Sequence, residues 1–364
     1  MKGELEIGFI NYSRKNDGVA LASKIYYDTL VSCNFSLRWY QVYDYFQPDQ
    51  FMNFGDRLSS SRFPVATLRP GYDRIVYARK IRKSIRSDLL FLSDPSLINF
   101  VKGKKFMVKV HDLIPLSVFS EDLFSKLMMK YSMRRLNEAD ALIVTTNFML
   151  NEIKSLYGKD LRIFVVPDPV NLPLDTNHIE KFTERKSRKI NVLYVAADRP
   201  YKNLRTFMDL AKFFEDQHYN SYEFTIVSRL SKTNRSYLDK LSLKNLKVLS
   251  NVNSMDDIYR SADIYLHLSN IEGFGRPIVE AMSQGIPVLT LRKEPYSEIV
   301  GDNRLMFDQL DLKEIAGIIF GITDETQYSY FSEYCLNRFE SKFSFNIFRK
   351  NLVYAFEYFM NKVV

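Results

Sequence analysis

Ser269-Asn270-Ile271-Glu272-Gly273-Phe274-Gly275-Arg276-Pro277-Ile278-Val279-Glu280-Ala281-Met282 is the stretch that decides the fold. It follows a short apolar run, Ile264–Leu268, that reads as a strand. Pro277 suits the first helical position, where its missing N–H costs nothing, and Gly285 with Pro287 suits the helix's stop. Pro287–Leu291 is then the next strand, so the order is strand, glycine loop, short helix, strand. The backbone N–H groups of Gly275 to Ile278 are expected to be free, and at the positive helix end they would make an anion site. Seven residues separate Glu272, in the loop, from Glu280, expected in the helix's first turn or so. Two carboxylates so spaced would stand several ångströms apart and bind the hydroxyls of two different sugars. The same pattern also fits a tight turn and a capped helix with two solvated glutamates.

Outward from this stretch, short apolar runs alternate with longer helical patterns. They are Glu6–Ile10, Leu89–Ser93, Phe106–Val110, Ala141–Thr145 and Ile163–Pro167 in the first half. In the second half they are Asn191–Ala196, Phe224–Ser228, Leu246–Leu249 and Leu305–Phe307, besides the two named above. Several are continuous Val, Ile, Leu and Phe, which suits parallel strands buried on both faces. The alternation predicts an α/β protein of two Rossmann-like, doubly wound domains facing across a cleft. Residues 1–170 would form the first and 190–344 the second, with a Pro-containing polar linker at 171–189. Ligands in such sheets bind beyond the carboxyl ends of the strands, so the residues just after each strand matter most.

The chain has 364 residues, 46% apolar and 26% charged, enough for two cores. Its 28 Phe and 23 Tyr exclude a disordered chain, and its 13 Gly and 12 Pro exclude collagen-like repeats. Cys33 and Cys335, the two cysteines, stand far apart and outside any Cys-x-x-Cys, which excludes a disulfide scaffold or a cysteine-rich zinc site. Met1 to Glu6 lacks the apolar region of a signal peptide, and no run of about 18 apolar residues occurs. A cytoplasmic, soluble protein is the expectation. No His-x3-His and no Asp-x-Asp occurs, so no metal and no other cofactor is expected. Asp256-Asp257 after Ser254 reads instead as a helix cap, His267 as a core residue inside its strand, and His178 and His218 carry no assignment.

The net charge of +8 is uneven, with 25 Lys and Arg against 18 Asp and Glu in the first 170 residues. Between Arg69 and Arg86 lie seven cations against Asp73. The run Arg74–Arg86 sets Ile75, Ala78, Ile81 and Ile85 on one helical stripe, and Phe124–Arg135 adds Lys126, Lys130, Arg134 and Arg135. One such helix is ordinarily a solvated cover for the sheet. Two in one domain point to an anionic membrane surface or an acidic acceptor, and hence to peripheral membrane association. Nucleic acid is the weaker partner, because no zinc finger, helix-turn-helix or RNP signature accompanies the charge.

With Glu272, Gly-Phe-Gly, Glu280 and Ala281-Met282 in hand, the second half resembles the E-x7-E signature of retaining glycosyltransferases of family 4, which have the GT-B fold. Tyr201-Lys202-Asn203-Leu204 is similar to that family's phosphate-gripping lysine loop, and Val110-His111-Asp112-Leu113-Ile114-Pro115 to its His-Asp-Leu segment. Glu138–Thr145 and Glu298–Asp302 match in kind and order, and the resemblance is strongest over Asn191–Asp308. The chain also departs from the pattern. The phosphate arginine falls on Ala197, the Gly-x-Gly loop reads Ser228-Arg229-Leu230, the N-terminal glycine pair is reduced to Asp17-Gly18-Val19, and Asn-Gly is replaced by Asp168-Pro169.

The resemblance implies a metal-independent retaining transferase using a nucleotide-sugar donor and an unidentified acceptor. Lys202, helped by Arg199 or Arg229, would hold the diphosphate, with Gly18 approaching the nucleotide and Glu280 on the ribose. Glu272, Gly273 and the N–H groups around Phe274 and Gly275 would orient the donor sugar, and His111 would close over it. The leaving diphosphate oxygen would take the acceptor's proton on the same face. The terminal helix, 345–364, would pack back on the first domain. Two rivals stay open: another GT-B enzyme such as a nucleotide-sugar epimerase, and a non-catalytic protein that binds nucleic acid or membrane through its basic face.

Overall fold

The computed structural model describes residues 5–11, 18–43, 55–59, 78–114, 127, 130–158, 160–170, 172, 182 and 189–363. The chain divides into two compact units, Met1–Pro169 with Phe345–Val364, and Val170–Ser344. The first is built on β1 (Ile7–Asn11), β2 (Leu37–Tyr43), β3 (Asp56–Ser59), β4 (Leu89–Leu92), β5 (Lys105–Lys109), β6 (Ala141–Val144) and β7 (Ile163–Val165). They form a parallel sheet in the order β3-β2-β1-β4-β5-β6-β7. The second holds β8 (Ile190–Val195), β9 (Tyr222–Val227), β10 (Leu246–Leu249), β11 (Ile264–His267), β12 (Val288–Leu291) and β13 (Met306–Phe307), parallel in the order β10-β9-β8-β11-β12-β13. Both are Rossmann-like, and every apolar run singled out above contains or overlaps a strand.

Continuous apolar strands are buried because helices cover both faces of each sheet. Leu90, Leu92, Val108 and Leu142 face one core of the first unit with Ala78 and Ile81 of the helix Ala78–Ser84 and Ile85 just after it. Phe9, Phe91, Met107 and Ile143 face the other. That second core is completed by Phe348, Leu352, Phe356 and Phe359 of the last helix, Phe345–Val363. Close packing between strands leaves no room at Gly8, where a Cβ would stand 2.7 Å from Leu90 and 2.8 Å from Tyr40. In the second unit one large core holds both sheet faces, including Phe207, Phe214, Phe224 and Tyr259.

Strands β2 and β3 were not expected, because Leu37–Tyr43 carries Arg38 and Gln41, and Asp56–Ser59 is short and polar. Most of the partners of their polar groups are distant in sequence. Arg38 donates to Glu6 at 2.7 Å and to Asp56 at 3.2 Å, while Gln41 accepts from Asn11 and Trp39, each at 3.1 Å. Of the linker expected at 171–189, only Leu172, Phe182 and Lys189 are among the described residues.

Candidate functional site

In the second sheet the strand order reverses between β8 and β11, the switch point at which doubly wound sheets bind ligands. The loops after these two strands carry Lys202 and Glu272. Backbone and side-chain bonds lock them together: Asn270 N–H donates to Tyr201 O at 2.7 Å, and Asn203 Nδ2 donates to Leu268 O at 2.8 Å. Lys202 ends a 3-10 turn, Pro200–Lys202, and the helix Leu204–Asp216 begins only after Asn203, whose φ of 53° marks a left-handed break. Lys202 thus lies in the turn that precedes the helix.

Lys202 Nζ is ion-paired with Glu272 Oε1, and both side chains are largely buried. His267 Nε2 stands 3.4 Å from that same oxygen. Burial alone would raise the Glu272 carboxyl, but the His267 ring and the Lys202 ammonium hold it down at about 2. Burial likewise lowers the His267 imidazole, with Glu272 opposing and Lys202 adding to the effect. His267 is buried in its strand, as expected, and its ring also stands beside a carboxylate. Nothing in the alternation of β11 distinguishes it from a core position; the signal was its place at the strand's end, beside the switch point.

Glu280 is the fifth residue of the helix Arg276–Ser283, just past its first turn. Its two oxygens accept from Arg276 Nε and Tyr259 Oη, each at 2.8 Å. Burial pushes its carboxyl up, against the pull of Arg276 and Tyr259. Neither glutamate is a solvated one. Gly275 takes φ 78° at the helix N-cap, and Phe274 is buried with its ring 5.9 Å from that of Phe343, so near Glu272 it offers its backbone alone. The run of free N–H groups expected from Gly275 to Ile278 is interrupted, because Pro277 has none and Ile278 N–H donates to Gly275 O at 2.9 Å. Gly273 follows Glu272 in the same loop. Arg199, Arg229 and Ala197 are exposed. Between them Asp198 accepts from Ser231 N–H at 2.6 Å and Asn234 Nδ2 at 2.7 Å, tying the β8 loop to the helix Lys232–Leu241.

In the first unit His111 follows β5, and its Nε2 lies 2.9 Å from Ser93 O. A carbonyl only accepts, so Nε2 carries the proton and Nδ1 presents a lone pair. A neutral His111 is thus left with an acceptor at Nδ1. Burial and the nearby Lys109 ammonium lower the imidazole to about 4. Lys109 is itself buried, ion-paired with Asp168 and 4.1 Å from the Tyr26 ring. The pair gives Asp168 a charged partner at the position where Asn was expected. Gly18 opens the helix Gly18–Ser32 after β1. Asp17 lies outside the described residues.

The two basic stretches meet at Asn99, which accepts from Arg82 through its carbonyl at 2.8 Å and from Arg135 through its side chain. Arg79, Lys83, Arg86, Lys130 and Arg134 are exposed, as are Leu127 and Tyr131. Arg74, Ile75, Phe124 and Lys126 lie outside the described residues. Among the described residues no helix is long and apolar enough to cross a membrane, and no group of three His, Cys, Asp or Glu is placed to hold a metal.

Residues 175–335 match the family model described as glycosyl transferases group 1. The matched stretch lies within the second unit, which is similar there to group 1 glycosyl transferases. The O-antigen chain mannosyltransferase RfbU of Salmonella typhimurium is 24% identical over 223 residues, 57% of this chain and 57% of that protein. This chain thus aligns with little more than half of that relative's length. Among solved structures, HepE of Anabaena with UDP and glucose is 17% identical, covering 96% of this chain and 99% of that one, with a TM-score of 0.72. Sucrose-phosphate synthase of Thermosynechococcus elongatus is 14% identical, covering 98% and 99%, with a TM-score of 0.78. Likeness along both units to these solved structures makes the architecture GT-B.

Proposed function

We propose that this protein transfers a sugar from a nucleotide-sugar donor to an acceptor, with retention at the anomeric carbon and without a metal ion. The observation that carries the reading is the buried Lys202–Glu272 pair at the β8/β11 switch point. A lysine beside a carboxylate there is matched to a ligand that is anionic at one end and bears hydroxyls at the other. Lys202, with Arg199 or Arg229, would neutralise the diphosphate, and Glu272 would accept from sugar hydroxyls beside the backbone of Gly273, Phe274 and Gly275. Glu280, held by Arg276 and Tyr259, keeps lone pairs for the ribose. His111 would accept from a hydroxyl through Nδ1, and Gly18 would allow close approach to the nucleotide. No side chain is then needed as a general base, because the departing diphosphate oxygen takes the acceptor's proton. Catalysis is electrostatic stabilisation of that leaving group plus orientation. The mannosyltransferase named above and the neighbour solved with UDP and glucose support this class of chemistry.

A thermal-shift panel of UDP-, GDP- and ADP-sugars tests the reading. One base class should raise the melting temperature by several degrees at saturating ligand, since binding at a hundred times Kd adds about 2.7 kcal/mol. A flat panel would remove the donor site. Turnover with the donor so found should survive excess EDTA, and loss restored by magnesium or manganese would refute metal independence.

A second reading concerns the first unit, whose basic face we propose meets an anionic membrane or an acidic acceptor. It is favoured by Leu127 and Tyr131, exposed at 53% and 45% beside the exposed Lys130 and Arg134. Apolar side chains among cations suit the headgroup boundary of a bilayer.

A further inference from the structure

His267 is 1% exposed, and its Nε2 has no hydrogen-bond partner although it points at Glu272 Oε1. Lys202 occupies the favourable approach to that oxygen, leaving the imidazole at a long 3.4 Å. On the other side of the ring, Nδ1 lies 3.2 Å from Tyr265 Oη. The Tyr265 hydroxyl has one proton and two acceptors in reach, Nδ1 and Val195 O at 3.3 Å. If it donates to Val195, a neutral ring must turn a lone pair toward the carboxylate, which is repulsive. If it donates to Nδ1, the ring proton sits on Nε2 and faces Glu272. The second arrangement is the one that satisfies all three groups.

We propose that His267 is a positioning residue for Glu272: it is the partner that remains when Lys202 leaves the carboxylate for an anionic ligand. This rests on the donor-site reading above. A carboxylate that lost its only partner would be free to turn or to follow the lysine. The imidazole cannot move, because it is wedged between the Tyr296 ring at 5.1 Å and the Tyr194 ring at 6.0 Å. Those tyrosines are in turn pinned, Tyr296 Oη to Ser269 O at 2.8 Å and Tyr194 Oη to Lys202 O at 2.5 Å. Charged or titratable groups around the ring, from every described element packed on it, are Glu272, Lys202, Tyr265, Tyr194 and Tyr296. As the ammonium turns away, Oε1 closes on the fixed ring and the other oxygen stays aimed at the sugar.

The contact is testable without ligand in the full-length Lys202→Met variant, which mimics the departed lysine. Its His267 ring should show the Nε2–H tautomer by nitrogen NMR, with a downfield, slowly exchanging N–H and a pKa raised relative to wild type by loss of the Lys202 charge. An Nδ1–H tautomer, or a ring N–H unchanged from wild type, overturns the proposal. A second measurement compares UDP-glucose with UDP, and GDP-mannose with GDP, by calorimetry. His267→Phe should lose about tenfold in affinity for the bound nucleotide sugar while binding the nucleoside diphosphate as wild type does. His267→Gln places an amide N–H where Nε2 stands and should keep sugar affinity within about threefold. Equal loss for sugar and diphosphate would mean a merely structural histidine. Wild type binding no nucleotide would defeat the donor-site reading, with the ring spectrum still deciding the His267–Glu272 contact.

Discussion

Lys202 has an anionic partner already, so any phosphate must compete with Glu272 for it. The exchange is favourable only if the ligand brings more negative charge than the carboxylate it displaces, which selects diphosphates over uncharged sugars. Lys202→Ala should weaken nucleoside diphosphate binding by about 1–3 kcal/mol, the range for a charge-assisted contact. Unchanged affinity in calorimetry would take Lys202 out of the site. At His111 the residue-scale effect is on stability. Its imidazole titrates near 4 when folded, whereas an ordinary histidine titrates near 6.5. Between those values the unfolded chain binds the extra proton, so stability rises with pH across that window, by at most about 1.4 kcal/mol per pH unit. His111→Asn should flatten that part of a stability-against-pH curve measured in urea; an unaltered slope would show that His111 is protonated in the folded state.

At the scale of elements, the loop after β11 works because Gly275 can enter the left-handed region and so start the helix Arg276–Ser283. An added Cβ would meet Ile278 Cδ1 at 3.0 Å, besides the intrinsic cost of φ 78°. Gly275→Ala should therefore destabilise the protein by about 1–2 kcal/mol. It should also disturb Glu272 and Glu280 together, since the glycine joins their two elements. A melting temperature equal to wild type would contradict this account of the turn. The E-x7-E spacing was legible because both glutamates belong to one local unit of strand, turn and helix. Strands β2 and β3 were not, because the groups that satisfy Arg38 and Gln41 lie on β1 and β3 or before them. Burial patterns read from a single segment cannot register a partner supplied by another.

Over the whole molecule the basic excess of the first half is gathered onto the first unit, where Asn99 ties its two cationic stretches together. Arg82 is engaged in that tie, so it serves the fold and is unsuited to a charge-reversal test. Arg79, Lys83 and Arg86 are exposed. Each cation near an anionic bilayer contributes about 1 kcal/mol, and the effect decays over a Debye length. Wild type should sediment with vesicles containing anionic lipid, not with neutral ones, and less so as salt rises. The Arg79→Glu, Lys83→Glu, Arg86→Glu variant should lose this and still bind nucleotide. Equal sedimentation of the two proteins with anionic vesicles would sink the membrane reading; tight binding to DNA or RNA alone would favour the nucleic-acid rival.

By itself the sequence determined the two doubly wound units, the strands of both cores except β2 and β3, and the glycine loop with its paired glutamates. These follow from local rules: apolar runs, turn residues and helix caps act over a few neighbours. Tertiary structure alone decided the partners. Lys202 and Glu272 are 70 positions apart, Lys109 and Asp168 are 59 apart, and Asn99 and Arg135 are 36 apart. Which proton His111 carries depends on Ser93 O, and what His267 does depends on a carboxylate that the following turn folds back toward it. Charge and hydrogen bonding act through space, and chain order does not encode those distances until the sheets have formed.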